Sequence, residues 1–311
     1  RRALPEEVAA VNALGEIGIE FPREKERLYP QRTLAAHILG FAPNAEGKGG
    51  MGVEAAFNDR MIDPAQRSRP FAMSIDSRVQ GALESELYAQ LVQTRAKGAG
   101  GIILDVNTGE VIAMASIPVF DPNKLQNYAG KRCSESPLCN HMVQARYELG
   151  SAFKPLIYAT AMAQGLSPAT QILDAPVVYE QEEEDKIWKP ENYGRKFHGM
   201  VSLRDALAHS HNLATVRLLD KVGIKNVIEF SRSVGLTSPL QADLSLGLGS
   251  SSVGLMELTS VYGVFLNQGI RVEPFAVKTV ADNTGKALET AQPEGHEVIV
   301  KETAYLITCR N

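Results

Sequence analysis

Two apolar runs separated by a short polar turn constrain the fold more than any other feature of this sequence. Residues 100–106 and 111–115 are nearly continuous apolar stretches, and residues 107–110 (Asn-Thr-Gly-Glu) lie between them. Such runs across an Asn/Gly turn predict a β-hairpin. Because neither run alternates with polar residues, we expect both faces of the hairpin to be buried. Helices on either side of a mostly antiparallel sheet would bury it, which predicts an α/β chain of the α+β kind.

Helical periodicity supplies the flanking elements. Val79, Leu83, Leu87 and Leu91 recur every four residues, which predicts an amphipathic helix over residues 76–94. Further helices are predicted at residues 151–165, 202–209, 212–235 and 253–268, and a second hairpin around residues 282–285.

Length and composition restrict the organisation and the class of protein. The 311 residues correspond to about two domains. Residues 1–70 are rich in turn formers and charges and are predicted to form a small module, which leaves residues 71–311 as the larger domain. The net charge of −4 lacks the basic excess of a nucleic-acid binder. No apolar run approaches the roughly 20 residues of a membrane span, and we expect that any N-terminal anchor has been removed.

Cysteine and histidine positions favour neither a metal nor a cofactor. Three cysteines form no disulfide framework and no tetrahedral metal set. Cys133 and Cys139 are close enough in sequence to pair in an oxidising compartment, and two separate thiols are the alternative. Five of the six histidines share no metal-ligand spacing, so no metal site is expected: His141, His198, His209, His211 and His296.

Residues 150–155 (Gly-Ser-Ala-Phe-Lys-Pro) carry the strongest chemical signal. Pro155 has no backbone N–H and is tolerated only in the first turn of a helix, so a helix must begin near Ser151. A helix N-terminus favours developing negative charge. Lys154 lies one turn away, and burial would lower its pKa so that the neutral amine could take a proton from Ser151. The alternative is a capping serine beside a surface lysine.

Residues 210–212 (Ser-His-Asn) form a second group at a break between two helical patterns. A hydroxyl and an amide at alternate positions can point toward one site. There Ser210 and Asn212 could orient the lysine, bind a substrate backbone and relay a proton to a leaving amine. Their ordinary role at turns and helix caps is the alternative.

With these two motifs, residues 71–311 resemble the transpeptidase domain of high-molecular-weight penicillin-binding proteins. The resemblance extends to residues 75–80 (Ile-Asp-Ser-Arg-Val-Gln), to the hairpin and to residues 116–123 (Ser-Ile-Pro-Val-Phe-Asp-Pro-Asn). Parts of residues 27–54 resemble the N-terminal pedestal of class B, the monofunctional division or elongation enzymes. Residues 188–193 and 246–251 resemble the bifunctional class A enzymes. Because no glycosyltransferase module precedes them, class B is favoured.

The resemblance implies a fold, an activity and a set of site residues. The fold is that of the serine β-lactamases, an antiparallel sheet flanked by helices with a helical subdomain, preceded by a dimerisation-type pedestal. The implied activity is peptidoglycan D,D-transpeptidation. Ser151 is the nucleophile, Lys154 the base, Ser210 a proton relay, and Asn212 positions Lys154 and the substrate amide. The resemblance also implies that Trp188 and Tyr193 line the substrate groove. No cofactor is implied.

One family motif is absent. A Lys-Thr/Ser-Gly strand binds the substrate carboxylate in the family, but Lys278-Thr279 is followed here by Val280. We expect the domain to be incomplete at its C-terminus, which leaves open whether the 311-residue form turns over. A serine β-lactamase, a penicillin sensor and a non-catalytic cell-wall assembly protein are the alternative functions.

The resemblance also implies a location and partners. The expected location is the periplasmic face of the inner membrane in a bacterial cell envelope, with membrane contact only through an absent N-terminal anchor. The expected ligands are D-Ala-D-Ala stem peptides and β-lactam antibiotics, and the expected protein partners belong to the divisome or the elongation complex.

Overall fold

The computed structural model describes residues 5–15, 18–20, 27–42, 50–63, 71–125, 136–181, 186–282 and 284–309. The chain divides into two compact units, Arg1–Gln31 and Arg32–Asn311. In the first unit, Pro5–Asn12 forms helix α1. The functional boundary near residue 70 remains a prediction.

The second unit contains α-helices and short antiparallel strands. The helices are α2 Ala36–Leu39, α3 Gly52–Ala56, α4 Asn58–Ile62, α5 Ser77–Thr94, α6 His141–Gln144, α7 Lys154–Ala163, α8 Leu203–Ala208, α9 Asn212–Val222, α10 Ile224–Ser233, α11 Leu255–Leu266 and α12 Lys301–Thr308. The strands are β1 Ala72–Met73, β2 Ala99–Leu104, β3 Val111–Ile117, β4 Arg146–Glu148, β5 Gln171–Asp174, β6 Tyr179–Gln181, β7 Lys186–Trp188, β8 Gly199–Ser202, β9 Ser252–Gly254, β10 Ile270–Val272, β11 Val277–Ala281, β12 Ala287–Thr290 and β13 Gly295–Glu297. Strands β1, β11 and β12 form one sheet in the order β1-β11-β12, and the other strands pair as β2–β3, β4–β9, β5–β8, β6–β7 and β10–β13.

The predicted hairpin is confirmed. Strands β2 and β3 pair antiparallel, with Ala99 opposite Ile117. The expected burial of both faces is confirmed only for β3, which is almost entirely buried; β2 is half-buried, and its residue Ile103 is exposed. Helix α5, also confirmed, covers the outer edge of β3 through Gln80, whose side chain is fully buried. The Gln80 amide oxygen accepts from the Met114 N–H, and its NH2 group donates to the Met114 carbonyl, both at 2.9 Å. A side chain thus satisfies the polar groups that an edge strand leaves open.

Helix α7 lies at the centre of the larger apolar core, which contains residues of α7 to α12. Its residues 156–161 are buried on every side, as expected for a helix without a polar face. Burial continues to the first residue of the helix, because Lys154 is only 1% exposed. The core therefore extends up to the polar groups at the N-terminus of α7.

The second predicted hairpin is confirmed as β11 and β12, which pair antiparallel. One helix prediction was wrong: residues 212–235 form two helices, α9 and α10, separated at Gly223. Gly223 has φ +90°, a conformation that interrupts an α-helix and suits glycine. The mixed helix and antiparallel-strand architecture confirms the predicted α+β fold.

Two further sequence predictions concern cysteines and the membrane. Cys139 is disulfide-bonded, and Cys133, its predicted partner, lies outside the described residues. Among the helices of the described part, none combines the length and the apolar character needed to cross a bilayer.

Candidate active site

Ser151 lies on a 3-10 turn, Gly150–Phe153, that continues directly into α7. The predicted helix start is therefore confirmed, with Pro155 in the first turn of the α-helix. The turn is held from two sides. The Gly150 N–H donates to the Gly249 carbonyl at 3.1 Å, and the Tyr262 hydroxyl donates to the Ala152 carbonyl at 2.9 Å. These contacts fix the backbone that carries the exposed Ser151 side chain.

The Lys154 ammonium is enclosed by three acceptors. Its Nζ donates to the Ser210 carbonyl at 2.8 Å, to Ser210 Oγ at 2.9 Å and to Asn212 Oδ1 at 2.7 Å. These contacts use all three N–H groups of the charged form. Burial lowers the pKa of Lys154 to about 8, although the negative charge of Asp174 acts in the opposite direction. The site therefore holds a lysine that is neutral at a far lower pH than an exposed one.

Ser210 lies between the nucleophile and the lysine. Its Oγ is 2.9 Å from Ser151 Oγ and 2.9 Å from Lys154 Nζ. Because a hydroxyl both donates and accepts, it can pass a proton between the two groups. Its backbone has φ +56°, in the left-handed region that a non-glycine residue rarely adopts. Such conformations persist where surrounding contacts impose them, often at functional sites.

Asn212 is the first residue of α9. Both polar atoms of its side chain have hydrogen-bond partners. Oδ1 accepts from Lys154 Nζ, and Nδ2 donates to the Glu191 carbonyl at 2.9 Å. The structure thus brings together all four predicted catalytic residues. The sequence interpretation sent the proton from Ser151 directly to Lys154, whereas the hydrogen bonds form a route through Ser210.

Sequence reasoning missed a polar layer behind Asn212. Asn192 Oδ1 accepts from the Asn212 N–H at 2.8 Å, and its Nδ2 donates to both carboxylate oxygens of Asp174, at 2.8 and 2.9 Å. Asp174 is fully buried and also accepts from His198 Nδ1 at 2.7 Å. Burial alone would raise the pKa of Asp174, but the hydrogen bonds from Asn192 and His198 lower it overall. The residues are 18 and 24 positions apart, so no local pattern connects them.

Asp174, His198 and His211 have ligand atoms within 4.8 Å of one another. The rings of His198 and His211 are stacked, with centroids 4.1 Å apart and planes 29° apart. An imidazole nitrogen bonds a metal in the plane of its ring at about 2.1 Å. Nearly parallel stacked rings do not direct their nitrogens at one point, so the arrangement suits a hydrogen-bonded cluster better than a metal centre.

The two predicted substrate-groove residues lie outside this network. The Trp188 ring packs against Tyr179 with centroids 5.9 Å apart, and Tyr193 is fully exposed. Their contact with substrate stays a prediction.

Comparison with known proteins gives a consistent family. Residues 99–309 match the model of the penicillin binding protein transpeptidase domain. The chain is 29% identical over 312 residues to the probable peptidoglycan D,D-transpeptidase FtsI of Caulobacter vibrioides, covering 96% of this chain and 51% of that protein. It is 38% identical over 200 residues to penicillin-binding protein 1A of Aquifex aeolicus, covering 64% of this chain and 26% of that protein.

Solved structures share the fold. Penicillin-binding protein A from M. tuberculosis, as an imipenem acyl-enzyme complex, aligns with a TM-score of 0.77 at 22% identity and covers 91% of this chain and 75% of that one. Penicillin-binding protein 1A from Haemophilus influenzae aligns with a TM-score of 0.58 at 26% identity, over 67% of this chain and 33% of that one.

The chain spans about half the length of the Caulobacter relative and about a quarter of the Aquifex relative. The family match nevertheless covers about two thirds of this chain, including the Ser151 turn and residues 210–212. The resemblance inferred from the motifs is confirmed: the chain belongs to the penicillin-binding protein transpeptidase domain family.

Proposed function

We propose that this domain is a peptidoglycan D,D-transpeptidase that works through an acyl-enzyme on Ser151. The observation that carries the proposal is the continuous hydrogen-bonded chain from Ser151 Oγ through Ser210 Oγ to Lys154 Nζ. A serine becomes a strong nucleophile when its proton has such a path to a base.

The acylation step follows from this series of hydrogen bonds. Ser151 Oγ attacks the penultimate D-Ala carbonyl carbon of a stem peptide, its proton passes to Ser210 Oγ, and the Ser210 proton passes to neutral Lys154. Collapse of the tetrahedral intermediate breaks the C–N bond to the terminal D-Ala. The leaving amine takes a proton back from Lys154 through Ser210, which restores the neutral lysine and leaves an ester on Ser151.

The second half-reaction uses the same groups. The amine of a neighbouring stem peptide attacks the ester carbonyl and loses its proton through Ser210 to Lys154. The new C–N bond is the cross-link, and Ser151 regains its proton as the ester C–O bond breaks. Asn212 holds Lys154 through the 2.7 Å bond and is the proposed contact for the substrate amide.

Electrostatics at the turn assist both steps. The Ser151 N–H, at the N-terminal end of the turn and of α7, is one proposed oxyanion donor, and a single donor of this kind contributes about 3 kcal/mol in comparable sites. With a pKa of about 8, Lys154 is neutral in roughly a tenth of molecules at pH 7. Lys154 is therefore available as the base. No proposed step uses a metal or a cofactor.

Ligands and location are part of the proposal. β-Lactams are expected to acylate Ser151, which is supported by the imipenem acyl-enzyme of the M. tuberculosis structural neighbour. Stem peptides ending in D-Ala-D-Ala are the proposed substrates, and division or elongation proteins the proposed partners. The proposed location is the periplasmic side of a bacterial cell envelope.

Fluorescent penicillin labelling followed by peptide mass spectrometry tests the proposal. It is applied to the wild-type protein and to its Ser151→Ala variant. We expect an adduct on Ser151 of the wild-type protein and none in the variant. An adduct that persists in Ser151→Ala refutes the assignment, and rapid turnover of a chromogenic β-lactam indicates a β-lactamase instead. Wild-type protein that never reacts supports a non-catalytic assembly role.

A further inference from the structure

We propose that Asp174, Asn192 and His198 form a positioning unit that holds Asn212, and through it Lys154, in the reactive arrangement. The inference rests on the proposed acyl-enzyme function and adds three residues to it. None of the three is expected to touch the reacting atoms, so they are positioning residues rather than catalytic ones.

The hydrogen bonds of Asn192 fix the orientation of its side chain. Its Nδ2 donates to both Asp174 oxygens and to the Lys196 carbonyl at 2.9 Å. Because the buried carboxylate can only accept, the amide of Asn192 has one favourable orientation. Its Oδ1 must therefore face the opposite way, toward the first turn of α9.

The N-terminus of α9 is capped by Asn192, a residue outside the helix. His211 occupies the N-cap position of this helix but makes no capping hydrogen bond with its side chain. Asn192 Oδ1 instead accepts from the Asn212 N–H at 2.8 Å and the Leu213 N–H at 3.1 Å. A residue about twenty positions away thus satisfies N–H groups that a helix leaves open, and it fixes the backbone at Asn212.

The side chain of Asn212 is oriented by a hydrogen bond to residue 191. The Glu191 carbonyl accepts from Asn212 Nδ2, which turns Oδ1 toward Lys154. Residues 191 and 192 therefore hold both the backbone and the amide of Asn212. Asp174 and His198 in turn hold residue 192, since the His198 N–H and Nδ1 both lie within 3.1 Å of Asp174 Oδ2.

The unit also acts on Lys154 by charge. Asp174 is the negative group that raises the pKa of Lys154 against the larger effect of burial. The other titratable groups around it are His198, His211 and His209, whose rings stack in sequence. Burial lowers the pKa of His211 and raises the pKa of Tyr158, another group near Asp174, so both move away from the range in which Lys154 titrates.

The test compares the wild-type protein with Asn192→Ala, Asp174→Asn and the control Asn226→Ala. Asn226 also donates a hydrogen bond, to the Val222 carbonyl at 2.7 Å, but it lies on α10. Acylation by fluorescent penicillin is measured between pH 7 and 10, and thermal unfolding is recorded for each variant. We expect Asn192→Ala to lower the plateau rate by roughly tenfold or more, because small displacements of reacting groups are costly. Asn226→Ala should keep the wild-type rate.

Asp174→Asn supplies a readout that loss of stability would not produce. Removing the negative charge should move the midpoint of the acylation profile to lower pH, while Asn192→Ala should leave the midpoint unchanged. Equal rates for Asn192→Ala and Asn226→Ala, or an unshifted midpoint for Asp174→Asn, would overturn the proposal.

An NMR titration of 13C-labelled lysine separates this proposal from the proposed function, since it needs no acylation. The Lys154 signal is assigned by its absence in Lys154→Arg. A titration midpoint that is lower in Asp174→Asn than in wild type supports the unit even if penicillin does not react. An unchanged midpoint contradicts it, whatever the outcome of labelling.

Discussion

The two sides of the candidate site are built by different forces. The α7 side, residues 154–163, is held mainly by apolar packing, and residues such as Leu156 and Ile157 have no exposed surface. The α9 side, residues 191–192 and 210–212, is held by hydrogen bonds among polar groups, several of them exposed. Lys154 starts on the first side and donates to the second.

The difference separates stability from reactivity. Apolar packing depends little on direction, so damage to the α7 side should appear in the free energy of unfolding. Hydrogen bonds depend on direction and charge, so damage to the α9 side should appear in the acylation rate and its pH dependence. Four predictions test this separation.

Lys154→Met should have the largest effect on reactivity. It keeps an unbranched side chain of similar length but removes the base, and loss of a general base costs about 10²–10⁴-fold in rate. The free energy of unfolding should change by no more than about 1 kcal/mol, because the substitution also removes a buried charge that is costly to desolvate. Acylation kinetics and thermal unfolding measure the two quantities. Lys221→Met, at an exposed position of α9, is the control, and a Lys154→Met protein that acylates at the wild-type rate would exclude the assigned base.

Leu156→Ala should have the largest effect on stability. A fully buried leucine truncated to alanine costs about 2–5 kcal/mol in the free energy of unfolding. Leu266→Ala, on the exposed face of α11, should change it by about 0.5 kcal/mol or less. Denaturant unfolding gives both values. The acylation rate per folded molecule should stay at the wild-type level in both, and a selective loss of rate in Leu156→Ala would break the proposed separation.

Gly249→Ala should affect reactivity by moving the turn that carries Ser151, which hydrogen bonds hold in place. A Cβ at Gly249 would lie 2.0 Å from the Gly150 carbonyl oxygen, and its φ is +73°, so the turn carrying Ser151 must move. We expect an acylation rate lower by about 10–100-fold, consistent with the cost of small misplacements. Gly254→Ala is the matched control, because its Cβ would meet nothing closer than 3.6 Å. Equal rates in stopped-flow acylation would show that the contact with Gly150 is unimportant.

The dependence of the acylation rate on pH should be the smallest of the four predicted effects. Because the pKa of Lys154 is lowered to about 8 and the neutral form is the base, the acylation rate should rise with pH and level off above 8. Below the midpoint the rate should fall about tenfold per pH unit. A buffered series from pH 6.5 to 10 measures the curve. A midpoint near the ordinary lysine value would mean that Lys154 is not the titrating base.

Local patterns in the sequence predicted much of the fold and the residues that the structure brings together at the candidate site. Pro155 restricts where a helix can start, which located Ser151 correctly, and two apolar runs around an Asn/Gly turn were enough for the β2–β3 hairpin. The break at Gly223 was missed because apolar periodicity continues through it, and one glycine costs a helix only about 1 kcal/mol.

The polar layer could not be predicted from local patterns. Asp174 lies on β5, whereas Asn192 and His198 lie on the connection between β7 and β8, and only the folded chain brings the three together. A buried aspartate in a strand has no periodic signature, and an asparagine two residues after a proline usually predicts a turn. The route of the proton through Ser210 likewise depends on distances that spacing along the chain does not give.

The left-handed backbone of Ser210 limits how this position can evolve. Threonine would keep the hydroxyl, but a β-branched side chain is strained at a φ of +56°. Glycine, asparagine and aspartate accept that backbone more readily but cannot both accept and donate a proton as a hydroxyl does. Of these residues only serine combines a hydroxyl with an unbranched side chain, so the substitutions that would keep the proposed proton relay are few at this position.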